Sequence, residues 1–169
     1  MISRLLISLI ALTLLSCGNN NETQTSRETT AAVERTIEPV EKVAFVDSDG
    51  NIKSVVEVAI ADTPDLRAEG LMNVRRMRMN HGMIFIFERE EPLSFWMANT
   101  PLPLDLIFAN SNFEIVRIRR NTQPYSTDQI LSELPAIYVV EVNAGYTARY
   151  DIQEGMFIEY PHQPTPEDE

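Results

Sequence analysis

Apolar and polar positions alternate along much of this chain, a period-two pattern that predicts strands. The stretches are residues 43–46, 52–61, 82–87, 93–97, 104–109, 113–119, 136–142 and 156–160. Asp47-Ser48-Asp49-Gly50-Asn51 separates the first two and reads as a turn, with Gly where a positive φ is easiest. Asn110-Ser111-Asn112 closes the clearest hairpin. Helical signals are few. At Thr63-Pro64-Asp65, Thr can cap, Pro suits the first helical position and Asp favours the positive end of the dipole. Leu66, Gly70, Leu71 and Val74 then share a face, and a second short helix is expected within residues 143–151. The charged run 88–92 reads as a connection, and the polar, Pro-bearing residues 120–135 read as a long loop or lid. The expected fold is mainly β with one or two short helices, a small β-sandwich or barrel-like single domain. Repeated strand–helix alternation is missing, which argues against a doubly wound sheet.

The start of the chain carries a different pattern. Arg4 precedes an apolar run over residues 5–15 and then Ser16. That is the charged start, short apolar middle and small-residue cleavage point of a secretory signal. The run is shorter than the roughly 20 residues a membrane helix needs. Leu14-Leu15-Ser16-Cys17 resembles the bacterial lipobox, whose Cys is acylated, with palmitate as one such chain, and becomes the new amino terminus. Residues 18–36 are polar and aperiodic, the composition of a flexible tether. The expected organisation is a lipoprotein signal peptide at 1–16, lipidated Cys17 and tether over 17–41, a globular domain over 42–160, and a disordered acidic tail over 161–169. The expected place is the bacterial cell envelope and periplasm, anchored to a membrane through Cys17. Gly18 rather than Asp follows the Cys, which points to the outer membrane. Cys17 is the only cysteine, so its acylation removes disulfides and thiolate sites together.

The net charge of −11 excludes nucleic acid as a natural partner. An unknown envelope ligand or protein is expected instead.

The globular part has a familiar set of residues. Thr63, Arg67, Gly70-Leu71-Met72, Arg76, Gly82-Met83, Phe87, Phe95-Trp96-Met97, Asn99-Thr100, Pro103-Leu104-Asp105, Glu141, Gly145 and Gly155 resemble the bacterial and archaeal family called domain of unknown function number 192. Members commonly carry Lys where this chain has Ala98. The resemblance implies a compact β-rich domain, often secreted or lipid-anchored. It implies no established activity and so supplies no catalytic residues.

Three candidate chemistries remain. The favoured one is a non-catalytic ligand- or partner-binding domain. Trp96, Asn99 and Thr100 would form its aromatic floor and polar rim, with Arg67, Asp105 and Glu141 as framework. The plainer alternative is a turn closed by Asn99 and Thr100 beside an ion pair of Asp105 with Arg67 or Arg76. The second chemistry is a carboxylate-dependent glycan hydrolase. Asp105 and Glu141 are carboxylates inside apolar strands and would divide acid and base roles if they converged; structural ion pairs to Arg67 and to Arg117 or Arg119 are the alternative. The third is soft-metal binding. Met77-x-Met79-x-His81-x-Met83 offers thioethers and an imidazole suited to Cu(I) or Ag(I), although Met83 also suits a core. No cofactor is expected. A Ser–His–Asp hydrolase is excluded because the histidines, His81 and His162, sit in no such constellation.

Overall fold

In a computed structural model of the chain the described residues are 35–161. Cys17, the signal stretch, the first part of the expected tether and residues 162–169 lie outside them. Seven strands pair into one sheet: β1 (Glu41–Val46), β2 (Ile52–Ala61), β3 (His81–Phe95), β4 (Leu104–Ala109), β5 (Ile115–Arg119), β6 (Ile130–Asn143) and β7 (Phe157–Glu159). Their order is β5-β4-β6-β3-β2-β1-β7. Every pairing is antiparallel except β2 with β3. The two ends of the sheet meet. Glu114 bridges Phe157, Ile115 N–H donates to Met156 O at 2.7 Å, and Ile158 N–H donates to Phe113 O at 2.9 Å. The result is a nearly closed barrel, which leaves little exposed strand edge.

One apolar cluster draws on all seven strands, with Phe45, Val58, Ile84, Ile107, Ile115, Val140 and Ile158 among its members. This is the barrel interior. A second cluster lies on the other face of β3, β4 and β6 and holds Met83, Phe85, Leu93, Leu104, Leu106, Phe108, Ala136 and Val139. All six residues of β4 are therefore buried, alternately against one cluster and the other.

A parallel pair needs a crossover, and this crossover covers the second cluster. It comprises residues 62–80 and carries α1 (Pro64–Glu69), whose following residues Leu71 and Val74 seat in the second cluster. The helix starts as its sequence predicts. Leu66 N–H donates to Thr63 Oγ1 at 3.3 Å and Pro64 takes the first turn. It stops at Gly70, which has φ 46° and would bring a Cβ to 3.3 Å from the Phe85 ring. A second helix, α2 (Tyr146–Arg149), lies where expected.

Three expectations change. The charged run 88–92 is not a break: β3 is one strand of 15 residues. It pairs with β6, which begins at Ile130, so the expected loop over 120–135 ends at residue 129. The polar stretches escaped the periodic reading because they pair with each other. Glu91 faces Ala136, Pro92 faces Pro135 and Phe95 faces Ile130, across register shifts that accommodate two prolines without N–H groups. Ser132 repairs the gap by accepting from Leu93 N–H and donating to Leu134 O. Finally, order begins before residue 42. Arg35 donates to the carbonyls of Gly70 and Met72 and pairs with Glu69 at 3.2 Å, and Ile37 packs on the second cluster.

Candidate functional site

The crossover and the β3–β6 extension do not fully cover the outer face of the sheet. Between them lies a cavity of about 320 Å³, near the lower end of the roughly 300–1,000 Å³ of small-ligand pockets. Its walls are aromatic: Phe85 and Phe87 from β3, Phe95 at the strand's end, and Trp96 beyond it. Phe95 is held edge-on against Phe85 at 5.1 Å, Phe108 at 5.8 Å and Phe87 at 6.1 Å between centroids. Trp96 stands at the rim with 58 % of its surface exposed. Gly70 and Met72 from the crossover, Ser94, Thr100 and Gln129 complete much of the wall.

Glu141 borders this cavity. In β6 it lies opposite Met83 of β3 and Leu106 of β4, both members of the second cluster. Its side chain therefore shares their apolar face. Only 4 % of the residue is exposed. Among the described residues no hydrogen bond or ion pair reaches its carboxyl, and burial alone pushes its pKa from 4.5 up to about 8. At neutral pH it is mostly a neutral acid, able to donate one hydrogen bond and accept others. The strands approach closely beside it. A Cβ on Gly82 would stand 2.4 Å from the Glu141 carbonyl oxygen.

Arg67 lines the same cavity but already has partners of its own. Its Nη1 donates to Asp62 O at 2.7 Å and Ile86 O at 2.8 Å, and its Nη2 donates to Glu88 at 2.8 Å. The guanidinium lies 5.0 Å from the Phe87 centroid. The Arg67 hydrogen bond holds the Glu88 carboxyl below its ordinary range. The ion pairs expected between Arg67 or Arg76 and Asp105 give way at Arg67 to this pair with Glu88. Arg117 and Arg119 likewise pair with Glu133 rather than with Glu141.

The turn after Trp96 is clamped. Thr100 N–H donates to Met97 O at 3.0 Å, Thr100 Oγ1 donates to Ala98 O, and Asn99, at φ 55°, gives its carbonyl to Asn73 N–H at 2.8 Å. The turn-closing role read from the sequence is thus present. Thr100 also lines the cavity; Asn99 does not and is exposed.

Asp105 belongs elsewhere. It faces Val142 across β4–β6, on the barrel-interior side, whereas Glu141 faces outward beside Leu106. The two carboxylates do not converge, which corrects the acid–base pair considered from sequence. Asp105 instead accepts from Asn121 N–H at 2.9 Å, Gly145 N–H at 3.1 Å, Thr147 N–H at 3.0 Å and Thr147 Oγ1 at 2.7 Å. It caps α2 and pins the start of the 120–129 loop.

The Met/His set is divided. Met83 is buried in the second cluster, Met77 packs against that cluster, and Met79 is 45 % exposed. His81 sits 3.3 Å from a Glu57 oxygen. Among the described residues no group of three or more His, Cys, Asp or Glu is placed to hold a metal ion.

So the structure brings Arg67, Trp96, Thr100 and Glu141 to one cavity and leaves Asn99 and Asp105 outside it. Sequence reasoning missed Phe85 and Phe87, although their alternation with Met83 placed them on one face. Gln129 carried no signal and Met72 only its place in the family-like Gly70-Leu71-Met72 run, because both reach the cavity through tertiary folding alone.

Solved structures share this architecture. A candidate transcription regulator from Sinorhizobium meliloti 1021 is 35 % identical with a TM-score of 0.69, over 75 % of this chain and 98 % of that one. A protein of unknown function from Novosphingobium aromaticivorans DSM 12444 is 30 % identical with a TM-score of 0.67, over 76 % and 94 %. Comparison with curated proteins finds no match. The profile of the DUF192 family, described as uncharacterized ACR, matches residues 44–160, and the chain belongs to that family.

Proposed function

We propose that this domain binds a small ligand, without turnover, in the cavity beside Glu141. We further propose that it works as a lipoprotein, held to the bacterial envelope, at the outer membrane, by acylated Cys17. The observation that carries the binding reading is the carboxyl itself. An acid that is buried with no partner among the described residues, beside an aromatic-walled space, is costly unless something comes to meet it. Arg67, Trp96 and Thr100 fix the shape and chemistry of the space around it. The lipoprotein reading rests on the residues around Cys17.

Other readings draw no support from these residues. A hydrolase would need a second carboxylate in the cavity, where Glu141 has only Glu69, itself paired with Arg35. A role in transcription, suggested by the description of the Sinorhizobium neighbour, runs against the net charge of −11.

The test uses benzyl alcohol as a small neutral probe. Its titration into the purified full chain is followed by emission of Trp96, the only tryptophan, and by Met72 methyl NMR. Saturable changes are expected, and Trp96→Ala is expected to weaken binding about tenfold while leaving Met72 as reporter. A strictly linear response up to tens of millimolar, with benzylamine equally inert, sinks the proposal.

A further inference from the structure

We infer that the cavity takes a compact primary ammonium carried on an apolar body, with its nitrogen seated on the Glu141 carboxylate. This rests on the binding reading above and names the ligand class. Three charged side chains line the cavity, and two are already neutralised. Arg67 pairs with Glu88 at 2.8 Å and Glu69 pairs with Arg35 at 3.2 Å. The unmet demand is at Glu141, which needs a donor or a cation. An anion would meet an engaged guanidinium and an unshielded acid, so anionic ligands are disfavoured.

The walls suit the same choice. Phe85, Phe87, Phe95 and Trp96 present aromatic surface, whose faces attract a desolvated cation. Phe87 already takes one cation, Arg67 at 5.0 Å, and Phe85 and Phe95 pack edge-on against each other, so Trp96, 58 % exposed at the rim, is the ring most open to the ligand. Thr100 and Gln129 add hydroxyl and amide oxygens that can accept the remaining ammonium N–H groups. The cavity volume of about 320 Å³ limits the apolar body to something near one ring or a short chain.

The proton balance is defined. The amine arrives as R–NH₃⁺ and Glu141 starts as a neutral acid. Binding forms R–NH₃⁺ on –COO⁻, and the carboxyl proton leaves to buffer. No other group has to change its ionisation. Directly opposite Glu141 lie Met83 of β3 and Leu106 of β4, Arg67 and Glu69 of the crossover line the same cavity, and His81, two residues before Met83 on the same face of β3, stands 3.3 Å from a Glu57 oxygen.

The experiment compares benzylamine with benzyl alcohol, matched in shape, by calorimetry on the purified full chain at pH 7 in phosphate and in Tris. Benzylamine is expected to bind at least tenfold tighter, with about 0.5–1 proton released per molecule. Its affinity should fall about five- to tenfold per pH unit below 7.5, as the ionised fraction of Glu141 shrinks. Glu141→Gln should lose both this preference and the proton release. Should that variant not fold, the buffer dependence of the wild-type heat still decides. Equal or tighter binding of benzyl alcohol with no proton release overturns the amine inference and leaves the binding reading standing. If neither probe binds, both fall.

Discussion

Glu141 makes the stability of this domain depend on pH in an unusual direction. Its folded pKa is raised from 4.5 to about 8 by burial. Below pH 4.5 the carboxyl is protonated in both folded and unfolded chains and costs nothing. Above it the unfolded chain ionises while the folded chain holds its proton, so stability falls until pH reaches about 8 and then levels off. At about 1.4 kcal/mol per pKa unit the full loss is roughly 5 kcal/mol. The interval from pH 5 to pH 8 contains roughly 3–4 kcal/mol of it. The carboxyl borders an open cavity, which makes these upper bounds.

Glu141→Gln keeps the shape of the neutral acid and cannot ionise. Urea unfolding of both proteins, followed by far-ultraviolet circular dichroism at pH 5, 6, 7 and 8, isolates the effect. Other groups drop out. Asp47, Glu88, Glu90 and Glu133 have pKa values lowered by their hydrogen bonds, so their contributions are lost only as pH falls beneath this window. Tyr138, Tyr146 and Tyr160 are raised from 10 by burial and titrate above it. The two proteins should be nearly equal at pH 5, and the variant should lead by roughly 2–4 kcal/mol at pH 8. A difference that stays constant across the four pH values refutes a buried neutral Glu141.

Three further substitutions have defined outcomes. Asp105→Ala strands the buried Thr147 N–H and hydroxyl and uncaps α2, so urea unfolding should show a loss of roughly 3–5 kcal/mol. Gly82→Ala drives a methyl to 2.4 Å from the Glu141 carbonyl oxygen, and its melting should report at least about 2 kcal/mol of destabilisation. Glu141→Leu should raise stability at pH 8 by about 1–4 kcal/mol and remove the preference for benzylamine, read by unfolding and calorimetry side by side.

Much of the fold was legible because β structure announces itself through alternation. Val56, Val58, Ile84, Val140 and Val142 all sit in the interior where their period places them. Alternation fails where strands are polar. Glu91 and Pro92 read as a connection because nothing local shows that residues 130–136 will supply hydrogen bonds. Arg35 was invisible for a similar reason: its partners are carbonyls about 35 residues away. The site was half legible. Trp96, Thr100, Arg67 and Glu141 stood out as residue types, and they do share a cavity. Asp105 looked equivalent to Glu141, since each is an acid between two aliphatic residues. The register separates them. Asp105 is paired with Val142 and Glu141 with Leu106, so one side chain enters the barrel and the other leaves it.

That separation also explains why the two acids deserve different interpretations. Burial alone does not distinguish them, with Asp105 at 0 % and Glu141 at 4 % exposure. Asp105 receives four hydrogen bonds, enough to replace the water its carboxylate gives up. It needs nothing from outside the chain and acts as a cap. Glu141 receives none from the described residues and borders space instead of a donor. Leu at this position would fill the same volume at lower cost, and the neighbouring Met83 and Leu106 show that the face accepts such side chains. A cavity is a second cost, since its lining forgoes packing contacts. Two independent penalties at one place, each removable by ordinary substitution, are what the proposed binding of a ligand from solution accounts for.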